Sequence, residues 1–178
     1  MSQCLSGDRE VGQKQICLVG FQGAGKTTVG KWLSSIMKID FFDLDASLLA
    51  KHGYSTIQEA FISLGEEQFR REELLCMESI LDRPSYIVAC GGGALQALEA
   101  VPDVACVVYL FRSFSVLRHE IMGLPCPLWL KNEDPLLSLH QRWEERHPVF
   151  FQRANVVVMV EKKSVEDDGQ KILSQLRD

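Results

Sequence analysis

None of the six cysteines (Cys4, Cys17, Cys76, Cys90, Cys106 and Cys126) stands in a Cys-x-x-Cys pair, so the sequence holds no zinc ribbon. Long apolar runs are missing too. The longest, Val104 to Phe111, falls far short of the ~20 residues that a membrane helix needs. Basic residues are in deficit, with 19 Lys and Arg against 24 Asp and Glu and a formal charge of −5, which excludes a general nucleic-acid binder. Any anion site must therefore be local. The first fourteen residues lack the apolar centre of a secretory signal and carry acids that a transit peptide avoids, so residues 1–14 read as a disordered tail. No internal repeat and no low-complexity tract is visible.

What is present fits one globular domain over residues 15–178. The chain has 178 residues, 46% hydrophobic and 24% charged, which excludes intrinsic disorder and collagen-like or mucin-like stalks. A domain of this size buries roughly 70% of its unfolded surface and needs no metal or disulfide staple. Cys17, Cys76, Cys90 and Cys106 lie in apolar stretches and read as small buried hydrophobes of a reducing, cytoplasmic compartment.

From Gln15 onward, short apolar runs alternate with helical patterns, the mark of βαβ units and a parallel sheet. Strands are expected at Ile16–Gly20, Phe41–Asp43, Tyr86–Cys90, Ala105–Leu110 and Val156–Val160. Helices are expected at Lys26–Met37, Ala46–His52, Thr56–Leu64, Glu66–Leu81, Ser115–Met122, Leu136–His147 and Val165–Leu176. Ser55 with Gln58 has capping-box spacing, Asp134-Pro135 reads as an N-cap with a first-turn proline, and Ser164 caps the last helix. Pro84 closes the long helix from Glu66. The aperiodic stretch 123–134 reads as a lid or a static surface loop.

Gly20 to Thr27, GFQGAGKT, matches G-x-x-x-x-G-K-[ST] after an apolar strand and at the head of a helix, the context a phosphate loop requires. Its glycines let successive N–H groups face phosphate oxygens, and the helix adds the positive end of its dipole. Lys26 is expected along the β- and γ-phosphates, with the Thr27 hydroxyl on Mg²⁺. The nucleotide-binding set is Gly20, Gly23, Ala24, Gly25, Lys26, Thr27 and Thr28.

Asp43-Leu44-Asp45 ends the second strand at the carboxyl edge, where ligands bind in open α/β sheets. If the strand continues, period-two alternation sends both carboxylates to one side. One would hold Mg²⁺ through water while the other accepts a proton from an attacking hydroxyl; the competing role for Asp45 is a helix cap. Phe69-Arg70-Arg71-Glu72-Glu73 taken alone reads as a solvated charged face. Gly91, Gly92 and Gly93 follow the third strand, either as a flexible turn or as a close backbone approach to a ligand.

Taken in order, GxxxxGKT, D-x-D, F-R-R-x-E, G-G-G and Arg146-His147-Pro148 resemble shikimate kinase from about Ile16 to the C-terminus. The resemblance implies a three-layer α/β/α P-loop kinase fold with a five-stranded parallel sheet in the order 2-3-1-4-5 and a lid at about 123–134. It implies a monomer that phosphorylates the 3-hydroxyl of shikimate with ATP and Mg²⁺, on the route to chorismate and the aromatic amino acids. By the family pattern Asp45 and Lys26 are catalytic, Asp45 being the base that holds the acceptor hydroxyl, and Asp43 contacts Mg²⁺ through water. Arg70 and Arg146 clamp the substrate carboxylate, Glu73 orients Arg70, and Gly91 to Gly93 contact the ring hydroxyls. Arg118 matches a nucleotide-contacting arginine with a one-residue offset. Two guanidinium forks suit a carboxylate, and Phe61 and Phe69 wall the ring or pack in the core.

One position departs from the family. Its lid carries an arginine before Pro-Leu, and here Cys126 precedes Pro127-Leu128. Such an arginine resembles an arginine finger, which contributes about 10³ to 10⁵ in rate. Another cation takes its place, the enzyme is slow, or the chain binds nucleotide without turnover; Lys131 is the candidate cation within the same stretch. The alternatives are a kinase for another hydroxy acid such as gluconate, a nucleotide kinase, or a nucleotide-sensing module. An intact Asp45 speaks against the last.

Overall fold

The structure is a computed structural model that describes residues 14–91, 95–121, 134–160 and 164–176. Cys126, Lys131, Gly92 and Gly93, and nearly all of the expected lid and tail, lie outside the described residues.

Five parallel strands, β1 (Gln15–Val19), β2 (Phe41–Asp43), β3 (Tyr86–Ala89), β4 (Cys106–Phe111) and β5 (Val156–Met159), form one sheet in the order β2-β3-β1-β4-β5, as the resemblance implies. Alternation along β1 explains its unbroken apolar sequence, because both faces are covered. Ile16 and Leu18 join one core with Val108 and Leu110, while Cys17 and Val19 join the other with Val88 and Tyr109.

Helices α1 (Lys26–Met37) and α8 (Val165–Gln175) cover the first face. Gly30 packs against the ring of Phe41 and Gly169 against that of Trp32, positions that a Cβ would fill, so α1 lies close on both the sheet and α8. The second face is covered by α2 (Leu44–His52), α3 (Ile57–Leu64), α4 (Glu66–Leu81), α5 (Leu95–Glu99), α6 (Phe114–Ile121) and α7 (Pro135–Arg153). No helix among the described residues is long and apolar enough to cross a membrane.

Several boundaries move for physical reasons. The cap of α3 is Thr56, one residue later than Ser55: its Oγ1 accepts from Glu59 N at 3.1 Å, and Glu59 Oε2 accepts from Ser55 N at 2.9 Å. Helix α7 does not stop at His147 but runs through Pro148 to Arg153. Pro148 offers no N–H to the Glu144 carbonyl one turn earlier, and Glu144 is an exposed residue. Asp134 and Ser164 cap as expected, accepting from Leu136 and Leu137 N and from Asp167 N. Helix α5 was not foreseen; it has only five residues. Cys17, Cys76, Cys90 and Cys106 are buried thiols outside any disulfide among the described residues, as expected.

The acidic pair on α4 is not a solvated face: Glu72 and Glu73 are both buried. Glu72 ties α4 to α2, accepting from Lys51 Nζ at 2.7 Å and from Gln68 Nε2 at 2.8 Å, with His52 Nε2 at 2.9 Å. The Lys51 ammonium, then His52, hold its carboxyl down at about 2. A carboxyl lowered on folding contributes stability that is complete above its ordinary value near 4.5 and is lost as pH falls toward about 2. Glu72→Gln is therefore expected to lower stability near neutral pH by about 1 kcal/mol. The gap in Tm to the parent should close between pH 4.5 and 2; a gap of constant size across that range would assign the effect to packing.

Candidate active site

Between β1 and α1 the chain turns through Gly20, Gly23 and Gly25, all with positive φ. Gly20 at φ 147° passes so close to β4 that a Cβ would stand 2.7 Å from the Leu110 carbonyl oxygen, which is why that place takes no side chain. Lys26 opens α1, and its Nζ donates to the Gly20 and Phe21 carbonyls, both at 2.9 Å. Burial lowers its pKa, opposed by the carboxylates of Asp45 and Asp43. Thr27 Oγ1 donates to Asp43 Oδ2 at 2.6 Å, so the end of β2 meets the start of α1.

The two aspartates do not alternate along one strand. β2 ends at Asp43, whose Oδ1 accepts from Ala46 N at 3.2 Å as the N-cap of α2, and Asp45 lies in that helix's first turn. The capping role considered for Asp45 thus belongs to Asp43, because the chain bends into helix directly after it. Asp45 turns inward, where burial raises its pKa, Lys26 lowers it, Asp43 raises it and Arg70 lowers it.

Arg70 Nη1 donates to Glu73 Oε2 at 2.6 Å, and its guanidinium lies 6.0 Å from the ring centre of Phe61 and 5.5 Å from that of Phe69. Burial raises the Glu73 carboxyl, an effect that Arg70 opposes. Arg146, on α7, is pulled down to about 10 by burial and then by the guanidiniums of Arg142 and Arg70. Gly91 follows β3 and is packed between carboxylates: a Cβ there would stand 2.7 Å from Asp45 Oδ1 and 2.8 Å from Glu73 Oε1.

These groups surround one cavity of about 730 Å³. Its wall includes Gly23, Gly25, Lys26, Thr27 and Thr28 from the loop, Asp43 and Asp45, Arg70 and Glu73, and Arg146. Phe61 and Phe69 also line it, edge to face at 5.3 Å. Gly20 and Ala24 lie behind the loop, the first as an acceptor for Lys26 and the second fully buried. Arg118 is exposed on α6 and is not among the lining residues. Lining residues that the sequence did not mark as parts of a site include Thr56, Ile57, Gln58, Ala89, Cys90 and Arg142. For Arg142 a signal existed, since four residues before Arg146 is the same face of a helix.

A central parallel sheet with a GxxxxGKT loop at the head of its first helix defines a P-loop phosphotransferase of the small-molecule kinase class. The family model described as shikimate kinase matches residues 22–177. Over 178 residues the chain is 34% identical to the shikimate kinase of Nitrosospira multiformis, covering 96% of this chain and 88% of that one. To the shikimate kinase of Halorhodospira halophila it is 36% identical over 151 residues, 81% of this chain and 82% of that one. The solved shikimate kinase of Acinetobacter baumannii in complex with shikimate superposes with a TM-score of 0.79 at 29% identity, covering 93% of both chains. A gluconokinase from Sinorhizobium meliloti, at 20% identity and a TM-score of 0.61, shares the fold. The chain belongs to the shikimate kinase family.

Gly91→Ala tests the crowding at the end of β3. The added methyl must push aside the Asp45 or Glu73 carboxylate. The expected result is a loss of about 1–3 kcal/mol of stability and a fall of about 10²-fold in phosphotransferase rate, read from Tm and steady-state kinetics. A fully active variant would mean that both carboxylates tolerate displacement.

Proposed function

We propose that this chain transfers the γ-phosphoryl group of ATP to the 3-hydroxyl of shikimate, a step toward chorismate and the aromatic amino acids. The observation that carries the reading is the shared cavity: a carboxylate and two guanidinium groups, Asp45, Arg70 and Arg146, face the phosphate loop's Lys26 and Thr27 across one hollow. Family membership supplies the substrate class.

The loop amides and the N-terminus of α1 cradle the phosphates, and Lys26 exchanges the two carbonyls it now holds for phosphate oxygens. Arg70 and Arg146 grip the substrate carboxylate, with Glu73 fixing the Arg70 fork from behind. The edge-to-face Phe61 and Phe69 pair gives the ring an apolar wall. Asp45 then accepts the proton of the attacking hydroxyl; its raised pKa makes it a better base than an exposed carboxylate. Most of the acceleration is positioning and charge neutralisation, since phosphoryl transfer needs little covalent help.

The Thr27 hydroxyl and the Asp43 carboxylate, 2.6 Å apart at the head of α1, form an all-oxygen pair that fits Mg²⁺, a hard ion that takes one or two protein ligands beside substrate phosphates. When bound there, the ion neutralises charge on the β- and γ-phosphate oxygens. We further assign the protein to the cytoplasm, acting as a monomer on these small molecules.

The test is ADP release with ATP, Mg²⁺ and a panel of shikimate, gluconate, quinate and nucleoside monophosphates. Shikimate is the expected acceptor; turnover of another acceptor and none of shikimate would refute the reading. Asp45→Asn should lower kcat by about 10² to 10⁴ and leave ATP affinity unchanged, as measured by calorimetry.

A further inference from the structure

Among the described residues, four cationic side chains line the cavity, Lys26, Arg70, Arg142 and Arg146, against three acids, Asp43, Asp45 and Glu73. The acids are accounted for. Asp43 is held by Thr27 and the Ala46 amide and Glu73 by Arg70, and Asp45 is the base of the reading above. Of the cations, Lys26 sits on the phosphate side, while Arg70 and Arg146 satisfy the two oxygens of one carboxylate. Arg142 is the group that this scheme leaves without a task.

Its place suggests one. Four residues along α7 move a side chain about 6 Å up the same helical face. Arg142 therefore stands one turn nearer the Pro135 start of α7 than Arg146 does, still on the cavity wall. Arg142 is among the groups that push down the pKa of Arg146, so the two cations feel each other in a partly desolvated space. Glu145 and Glu73 counter part of that repulsion, and an anion larger than one carboxylate between the two guanidiniums would counter more of it. A phosphoryl group in transfer, with charge on three equatorial oxygens, is that anion, and a guanidinium fork meets two of those oxygens at once.

Resting on the shikimate kinase reading, we propose that Arg142 binds the equatorial oxygens of the transferring phosphoryl group and supplies the charge that the family places before Pro-Leu, where this chain has Cys126. As the bond from the acceptor oxygen to Pγ forms, the bond from Pγ to the β,γ-bridging oxygen breaks. The hydroxyl proton passes to Asp45, the electron pair of the broken bond leaves on ADP, and Arg142 follows the phosphoryl oxygens onto the product.

The experiment compares Arg142→Gln, Arg142→Lys and Lys131→Ala in the full chain by steady-state ADP release, by calorimetric binding of shikimate alone, and by Tm. The parent is assayed first, and a parent that does not turn over shikimate refutes the function reading itself. With an active parent, Arg142→Gln is expected to lower kcat by about 100-fold or more, with shikimate affinity and KM nearly unchanged. Arg142→Lys, which keeps the charge and loses the fork, is expected to recover about tenfold of that loss. Lys131→Ala is expected to lose far less kcat than Arg142→Gln. The proposal is overturned if Arg142→Gln keeps kcat within about twofold, if the loss falls on KM alone, which would put Arg142 in the carboxylate subsite, or if Lys131→Ala takes the large kcat loss instead. Should the Gln variant fail to fold, the Lys variant decides: about a tenfold loss in kcat at unchanged KM supports the assignment, and an unchanged kcat overturns it.

Discussion

In a parallel sheet every strand delivers its carboxyl end to the same edge, and the site rests on that shared direction. β1 hands over to the phosphate loop, β2 to Asp43 and the first turn of α2, and β3 to Gly91. Their adjacency in the order β2-β3-β1 puts the carboxylates of Asp43 and Asp45 beside the phosphate loop with no long connection needed. The hydrogen bond from Thr27 to Asp43 is the local seam, joining the loop's helix to the end of β2.

Collecting ionised groups at one edge has an electrostatic consequence. Burial pushes Asp45 and Glu73 up and Lys26 and Arg146 down, each toward its neutral form. Opposite charges counter this: Lys26 and Arg70 hold Asp45 down, and Arg70 holds Glu73 down. The pocket is thus balanced among its own residues in a way that a substrate carboxylate and a polyphosphate would shift toward the cations. Glu72 stands apart, drawn low by Lys51 at the α2–α4 seam, and its work is structural.

Much of this was legible in the chain. The GxxxxGKT spacing located the loop, the unbroken apolar strands indicated a sheet covered on both faces, and the ordered motifs carried the topology. What escaped notice depends on packing rather than pattern. The cap of α2 fell on Asp43 because the chain bends two residues earlier than alternation suggested, and α7 continued through Pro148 at a turn where Glu144 is exposed. Glu72 resembled a solvated charge until α2 was laid across it, and the lining position of Arg142 became visible only once α7 was in place.

Helix α7, which carries Arg142 and Arg146, is fastened by the side chains next to them. Trp143 and His147, the residues that follow them, stack at 4.5 Å, and His147 Nδ1 meets the Tyr109 hydroxyl of β4 at 3.1 Å. Phe150 continues the seam against Tyr109 and Phe21, so an aromatic row fastens the helix to the sheet. Burial lowers the pKa of His147 and so favours its neutral form, which keeps a further positive charge from joining two guanidiniums that already repel. Apolar packing on one side of α7 thereby sustains concentrated positive charge on the adjacent side, where an anionic substrate is to be held.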